Sequence, residues 1–283
     1  SGNIYATGNY DTVRVIPPIQ SYHGFTVEYD SSGKLLWLNR YNIGISNSLA
    51  NIVIDTIGNA YVTGSTRSST TDSKFLTIKY SNVGIQQWVK FYSGPVVSST
   101  NAANDITIDV DRNIYVTGHS LRTGSLVDLA TIKYNTNGDS LWVKRYGLLN
   151  SIGYIAMDID GNSNIYITCT DTNGITTLKY TNVGFREWLI SYPGNDRDVC
   201  INNLNNVYVT GNNADSGTGS DFITIKYSQL IGITTNSNQL PDNFKLYQNY
   251  PNPFNPVTTI EFEVSKATEV TLTIHDILGK KLI

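Results

Sequence analysis

The chain has 283 residues and a formal net charge of −3, with 15% charged residues and 19 tyrosines. That length supports one large domain or two smaller ones with buried cores. The charged fraction lies well under the roughly 25% of an average soluble domain, and abundant Tyr, Asn, Thr and Ser suit extracellular β-structure better than a cytosolic helical enzyme; the slightly acidic balance excludes a basic face for nucleic acid, and no apolar run reaches the ~18 residues of a bilayer span.

From Ser1 onward the chain is already inside a pattern that returns throughout. Asn-x-Tyr-x-Thr recurs five times, at Asn3–Thr7, Asn59–Thr63, Asn113–Thr117, Asn164–Thr168 and Asn206–Thr210. Thr-aliphatic-Lys-Tyr follows each, ending at Tyr80, Tyr134, Tyr180 and Tyr227, with Thr26-Val27-Glu28-Tyr29 as the deviant first copy. A Gly with Trp four residues later and Tyr four after that completes the set, at Gly33/Trp37/Tyr41, Gly84/Trp88/Tyr92, Gly138/Trp142/Tyr146 and Gly184/Trp188/Tyr192. The tyrosines of the second pattern are 51, 54, 46 and 47 residues apart, the period of a propeller blade.

One more short apolar strand precedes each later repeat: Asn51–Asp55, Asp105–Asp109, Tyr154–Asp158 and Val199–Asn202. Asp55, Asp109 and Asp158 are read as its last residues, and turns such as Thr56-Ile57-Gly58 lead on to the Tyr strand by hairpin chemistry. Gly8, Gly64, Gly118 and Gly211 are read as closing that strand before a variable polar loop. Adjacent apolar residues such as Tyr115 and Val116 point to opposite faces of a strand, so each sheet needs a neighbour on both sides, and radial stacking of blades provides it. The predicted fold is all-β: a β-propeller with units at about 1–41, 50–92, 104–146, 153–192 and 198–227. A solenoid or a pair of sandwiches fits the period less well.

The recurring set Asn113-Ile114-Tyr115-Val116-Thr117-Gly118, Ala130-Thr131-Ile132-Lys133-Tyr134 and Gly138 to Trp142 resembles the bacterial SBBP β-propeller repeat over residues 1–227. The resemblance implies a secreted or surface protein and no shared catalytic residues. The fourth copy departs, with Cys169 where the others carry Gly. The first unit starts at its second strand and the last stops after its third, so upstream blades or a closing strand are expected, in a ring of six to eight blades.

Residues 228–240 have the composition of a linker. Four prolines then stiffen the stretch from Pro241 to Pro256, and alternation at Thr259–Val264 and Val270–Ile274 predicts two half-buried strands. Tyr247–Pro256, with His275-Asp276-Ile277-Leu278-Gly279, resembles the opening of a type IX secretion sorting domain, an immunoglobulin-like sandwich present here over 241–283 as its N-terminal part. The resemblance implies the type IX machinery as a partner and export to the cell surface of a Gram-negative bacterium.

Chemistry-bearing residues are sparse. His23, His119 and His275 are far apart and lack metal-ligand spacing, and His23 and His119 are assigned to inter-strand loops. Cys169 and Cys200 sit in apolar strand patterns and are read as small buried residues, a bridge between them being the other possibility. Lys79, Lys133, Lys179 and Lys226 are assigned to packing by their stems, and the tryptophans to contacts between blades. Asp158, Asp160 and Asn162 place oxygens at alternate positions, as Ca²⁺ loops do, but Cys169 stands where an EF-hand has its Glu, and a hairpin turn explains the same residues. No other cofactor is expected. The expected function is a non-catalytic surface module for binding, adhesion or structure that meets an extracellular protein or glycan through variable loops such as Thr66–Ser73 and Ser120–Asp128; the alternative is the non-catalytic portion of a secreted hydrolase or lyase whose active site lies upstream or on blade loops.

Overall fold

The computed structural model describes residues 2–15, 18–69, 72–96, 99–122, 126–148, 153–215 and 219–227, and positions 245, 246, 260, 262, 263, 273, 280 and 281. The chain divides into two units, Ser1–Gln229 and Leu230–Ile283. In the second, the described strands are β19 (Lys245–Leu246) and β20 (Phe262–Glu263), paired antiparallel. The expected sandwich, and His275 with it, otherwise fall outside the described residues.

The first unit holds five antiparallel sheets in chain order. The first consists of β1 (Ile4–Val15), β2 (Pro18–Tyr29) and β3 (Leu35–Tyr41). The second has β4 (Ser46–Ile54), β5 (Ala60–Arg67), β6 (Ser73–Tyr80) and β7 (Gln86–Tyr92), and the third β8 (Asn101–Ile108), β9 (Ile114–Leu121), β10 (Val127–Tyr134) and β11 (Ser140–Leu148). β12 (Ile155–Ile159), β13 (Ile165–Asp171), β14 (Gly174–Tyr180) and β15 (Arg186–Tyr192) form the fourth, and β16 (Asn195–Ile201), β17 (Val207–Asp215) and β18 (Gly219–Tyr227) the fifth.

First strands β4, β8, β12 and β16 touch in succession while the fourth strands diverge, so these sheets are blades of a β-propeller. Extensive contact joins only consecutive blades among the described residues. Each of the four seams has its own core. Tyr61 and Phe75 of the second blade pack with Ile106, Ile114 and Val116 of the third. On the other face of the same strand, Tyr115 packs with Ile155, Met157 and Ile167 of the fourth. Burial on both faces is thus what Tyr115 and Val116, side by side in β9, provide. No helix among the described residues is long and apolar enough to cross a membrane.

Two readings of the sequence need correction. The tyrosine strands do not stop at the glycines but run on to Val15, Arg67, Leu121 and Asp215, which places His23 and His119 inside strands rather than loops. The glycine marks a close approach instead. A Cβ on Gly64 would lie 2.0 Å from the carbonyl oxygen of Ser48, and one on Gly118 2.1 Å from that of Ala102, because the first strand bulges opposite it between Leu49 and Asn51 and between Ala103 and Asp105. The fourth blade's turn residue is Asp160, not Asp158, since its first strand ends at Ile159.

Candidate functional site

The two ends of the blades differ in kind. At one end lie the short turns between strands one and two and between strands three and four. Asp55 accepts the backbone N–H groups of Ile57 and Asn59 on Oδ1, and Asn59 Nδ2 and Tyr61 Oη on Oδ2. Asp109 holds Asn113 and Tyr115 in the same way, and Asp160 holds Asn162, Asn164 and Tyr166. Burial, reinforced by the aspartate beside each ring, pushes the Tyr61 and Tyr115 phenols well above their usual range. Both Lys79 Nζ and Trp88 Nε1 donate to the carbonyl of Thr136 in the next blade's turn, and Lys133 and Trp142 do the same to Asn182. Each Trp ring lies between the strand-two Tyr of its own blade and the strand-three Tyr of the next, as Trp142 does between Tyr115 and Tyr180. In the second and third blades Lys and Trp therefore clamp blade to blade, whereas Lys179 pairs with Glu187 of its own blade at 2.6 Å. Glu28, in place of Lys, accepts from Asn3 Nδ2 instead.

At the other end the connections between strands four and one lie against those between strands two and three, through bonds such as Ser73 N to Ser99 O and Leu121 N to Thr100 O. Here the blades differ from one another. The bulge residues near the axis are Ala50, Asn104 and Arg197. His119 Nδ1 lies 3.3 Å from Asn104 Oδ1, and the Arg197 guanidinium sits 4.2 Å over the exposed Tyr154 ring. Asn104, Gly153, Tyr154 and Ile155 line a cavity of about 440 Å³. Burial lowers the His119 pKa, favouring neutral imidazole. Its partner is an amide, which neither ionises nor attacks, so the arrangement is suited to holding a ligand by hydrogen bonds and an aromatic face.

Below this mouth the first strands are tied together by acids. Asp105 accepts from Asn51 Nδ2 at 2.6 Å and from the Met157 N–H of the next blade at 2.7 Å. Asp158 accepts from the Ile201 N–H of the fifth blade at 2.7 Å. Burial pushes the Asp105 carboxyl up to about 6, with the nearby Asp198 adding in the same direction. Asp158 is raised for the same reasons.

The residues considered for Ca²⁺ do separate tasks: Asp158 bridges blades, Asp160 closes its turn, and Asn162 is exposed. Among the described residues no group of three or more His, Cys, Asp or Glu could hold a metal ion. Cys169 is buried and free, its thiol pushed up by burial, whereas Cys200, expected to be buried, is exposed and free. Val199 faces the fourth blade, so its neighbour Cys200 points the other way. His119, Asn104, Tyr154 and Arg197 were not readable as a group because four chain segments supply them.

No family model and no curated protein matches the chain. Among sixty matching chains of solved structures, a protein of unknown function from Bacteroides caccae is 9% identical with a TM-score of 0.50, covering 82% of this chain and 70% of that one. A protein of unknown function from Dyadobacter fermentans is 8% identical with a TM-score of 0.53, covering 79% and 75%. Virginiamycin B lyase from Staphylococcus aureus is 10% identical, with a TM-score of 0.34 and coverage of 81% and 89%. The first two likenesses concern the fold alone.

Proposed function

We propose that this protein is a secreted, non-catalytic binding propeller that takes an extracellular protein or glycan at the loop end of its axis. The observation that carries the reading is the break in the repeat there. The turn end repeats one Asp–Asn–Tyr hydrogen-bond set from blade to blade, whereas at the loop end one bulge position carries Ala50, Asn104 or Arg197 according to the blade, and Asn104 and Arg197 meet Tyr154 there. Variation on a constant frame is where binding resides. Export is part of the proposal, by the resemblance of Tyr247–Pro256 to a type IX sorting domain.

Screening the purified full chain on arrays of cell-surface glycans and proteins tests the binding role. Tyr154→Ala or Arg197→Ala should weaken capture about tenfold or more, the scale of a binding hot spot, while Val83→Ser at the turn end leaves it unchanged. Turnover of an arrayed substrate that is lost in His119→Ala would overturn the non-catalytic reading. Export is tested by expression in a host with the type IX machinery and in the same host lacking it; equal extracellular yield in both removes that part.

A further inference from the structure

Between the outer strands of the third and fourth blades lies a cleft of about 510 Å³, away from the loop-end cavity. Lys144 and Arg145 of β11 line one side, and Tyr180, Val183, Gly184, Phe185 and Arg186 line the other. Three of the seven lining residues are cationic and none is acidic, in a chain whose net charge is −3. We propose that this cleft binds an oxyanion carried on an apolar or aromatic body, such as an aryl phosphate, an aryl sulfate or an aromatic carboxylate.

The repeat itself separates packing from function here. Lys144 stands two residues after its Trp, and so does Lys90 in the second blade. Both lie over the next blade's turn glycine, where an added Cβ would meet the Lys Cε at 2.5 Å in each case. That lysine belongs to the repeated frame. Arg186 does not: at the seam of the second and third blades Ser140 stands in its place, and Phe91 in that of Arg145. At the seam of the first and second blades the counterparts of Lys144, Arg145 and Arg186 are Asn39, Arg40 and Gln86. Only the third seam has a cation at both the Lys144 and the Arg186 position, and blade packing elsewhere does without that pair; the Arg145 guanidinium turns the other way, to Tyr92 of the second blade.

The cations are also held in place. Arg145 is neutralised on the far face of β11 by Asp128 at 3.0 Å, with Tyr92 Oη at 2.7 Å and Ser120 Oγ at 2.8 Å, so the cleft's charge comes from Lys144 and Arg186. The Arg186 guanidinium sits 5.6 Å from the centre of the Tyr146 ring. Among the described residues neither Lys144 nor Arg186 forms an ion pair, which leaves two uncompensated charges facing one cleft. Guanidinium forks recognise planar and tetrahedral oxyanions through paired, charge-assisted hydrogen bonds. Beside them Val183 and Phe185 are 73% and 67% exposed, where the second seam has Asn137 and Asp139. An acid at the position of Phe185 would repel an anion, and an aromatic ring there gives the ligand's body an apolar wall.

The test is an NMR titration of the full chain at fixed ionic strength with phenyl phosphate, phenyl sulfate, benzoate, inorganic phosphate and chloride, following the Gly184 and Phe185 amides and the Arg186 Nε–H. Saturable shifts are expected with at least one aryl oxyanion, weaker ones with inorganic phosphate, and an affinity loss of about tenfold in Arg186→Gln and in Lys144→Gln, as for removal of one charge-assisted bond. Arg186→Lys should fall between, keeping the charge without the fork. The aryl arms identify which headgroup the site prefers. Shifts that grow without saturation, that chloride reproduces, or that survive both substitutions overturn the proposal. An unchanged melting temperature in Lys144→Gln keeps the result readable if Arg186→Gln misfolds.

Discussion

The fourth blade differs from the second, third and fifth in a single respect that reorganises its inner strand. In those three the tyrosine strand carries Gly64, Gly118 or Gly211, and the first strand bulges onto it. In the fourth, Cys169 pairs directly with Ile155 and no bulge forms. Counting from that partner to the turn residue, Leu49 to Asp55, Ala103 to Asp109 and Asp196 to Asn202 each span six steps, and Ile155 to Asp160 spans five. The bulge and the glycine are thus one feature: the extra residue pushes a carbonyl to about 2 Å from where a Cβ would be, and only Gly has none. Losing the extra residue frees the position for a side chain. The bridging acid also differs in place: Asp105 lies opposite Thr117 and Asp158 opposite Tyr166, and both reach the next blade's backbone.

Four measurements break or sharpen this comparison. The largest effect is expected from Gly118→Val, which forces the Ala102 carbonyl away and should destabilise the protein by about 3 kcal/mol or more in urea titration. A residue inserted after Ile155 should be comparably harmful alone, and Cys169→Gly should rescue at least half of that loss. Additive effects of the two changes would show that glycine and bulge are independent.

Next comes pH. Asp196 holds the position taken by Leu49, Ala103 and Ile155 in the other blades; it is fully buried, bonded to Thr170, and pushed up to about 6 by burial. Its folded pKa exceeds the roughly 3.9 of an unfolded Asp, so its contribution is complete below about pH 4 and is lost as pH rises through 6. Stability should fall by roughly 2 kcal/mol on this account between pH 4 and 7. Asp196→Asn should remove this share of the dependence and leave that of Asp105 and Asp158, which are raised in the same direction, whereas Leu49→Ala in the second blade should lower stability equally at both pH values.

A smaller difference separates two copies of the repeated lysine. Lys133 is buried, donates to Asn182 O and lies 3.5 Å from Asp109, so Lys133→Met should lower stability by about 1.5 kcal/mol. Lys226, on the exposed strand β18, should lose no more than about 0.5 kcal/mol on the same change. Equal effects would place the clamp's energy in the lysine stem rather than in its bonds to the neighbouring blade.

Much of the fold was legible because it is written in short segments. The Asn-x-Tyr-x-Thr and Thr-aliphatic-Lys-Tyr patterns mark strands two and three, and Gly84 and Gly138 mark turns whose φ values of 79° and 80° favour glycine. The assignment of Trp to the seams holds for the same reason, since one ring per period requires one site per blade. Gly64 and Gly118 misled, because a glycine that ends a strand and a glycine that accommodates a neighbour's bulge look alike along the chain. Cys200 misled because strand alternation does not say whether another sheet covers its second face.

What the sequence by itself determined is the period, the strand pattern and the turn chemistry, all set by interactions within a few residues. Only the tertiary structure decided which departures from the repeat meet. Asn104, His119, Tyr154 and Arg197 converge near the axis from four separate chain segments, and Lys144 and Arg186 face each other across the third seam from positions some forty residues apart. The stacking of blades, which buries their apolar faces, brings such distant residues together.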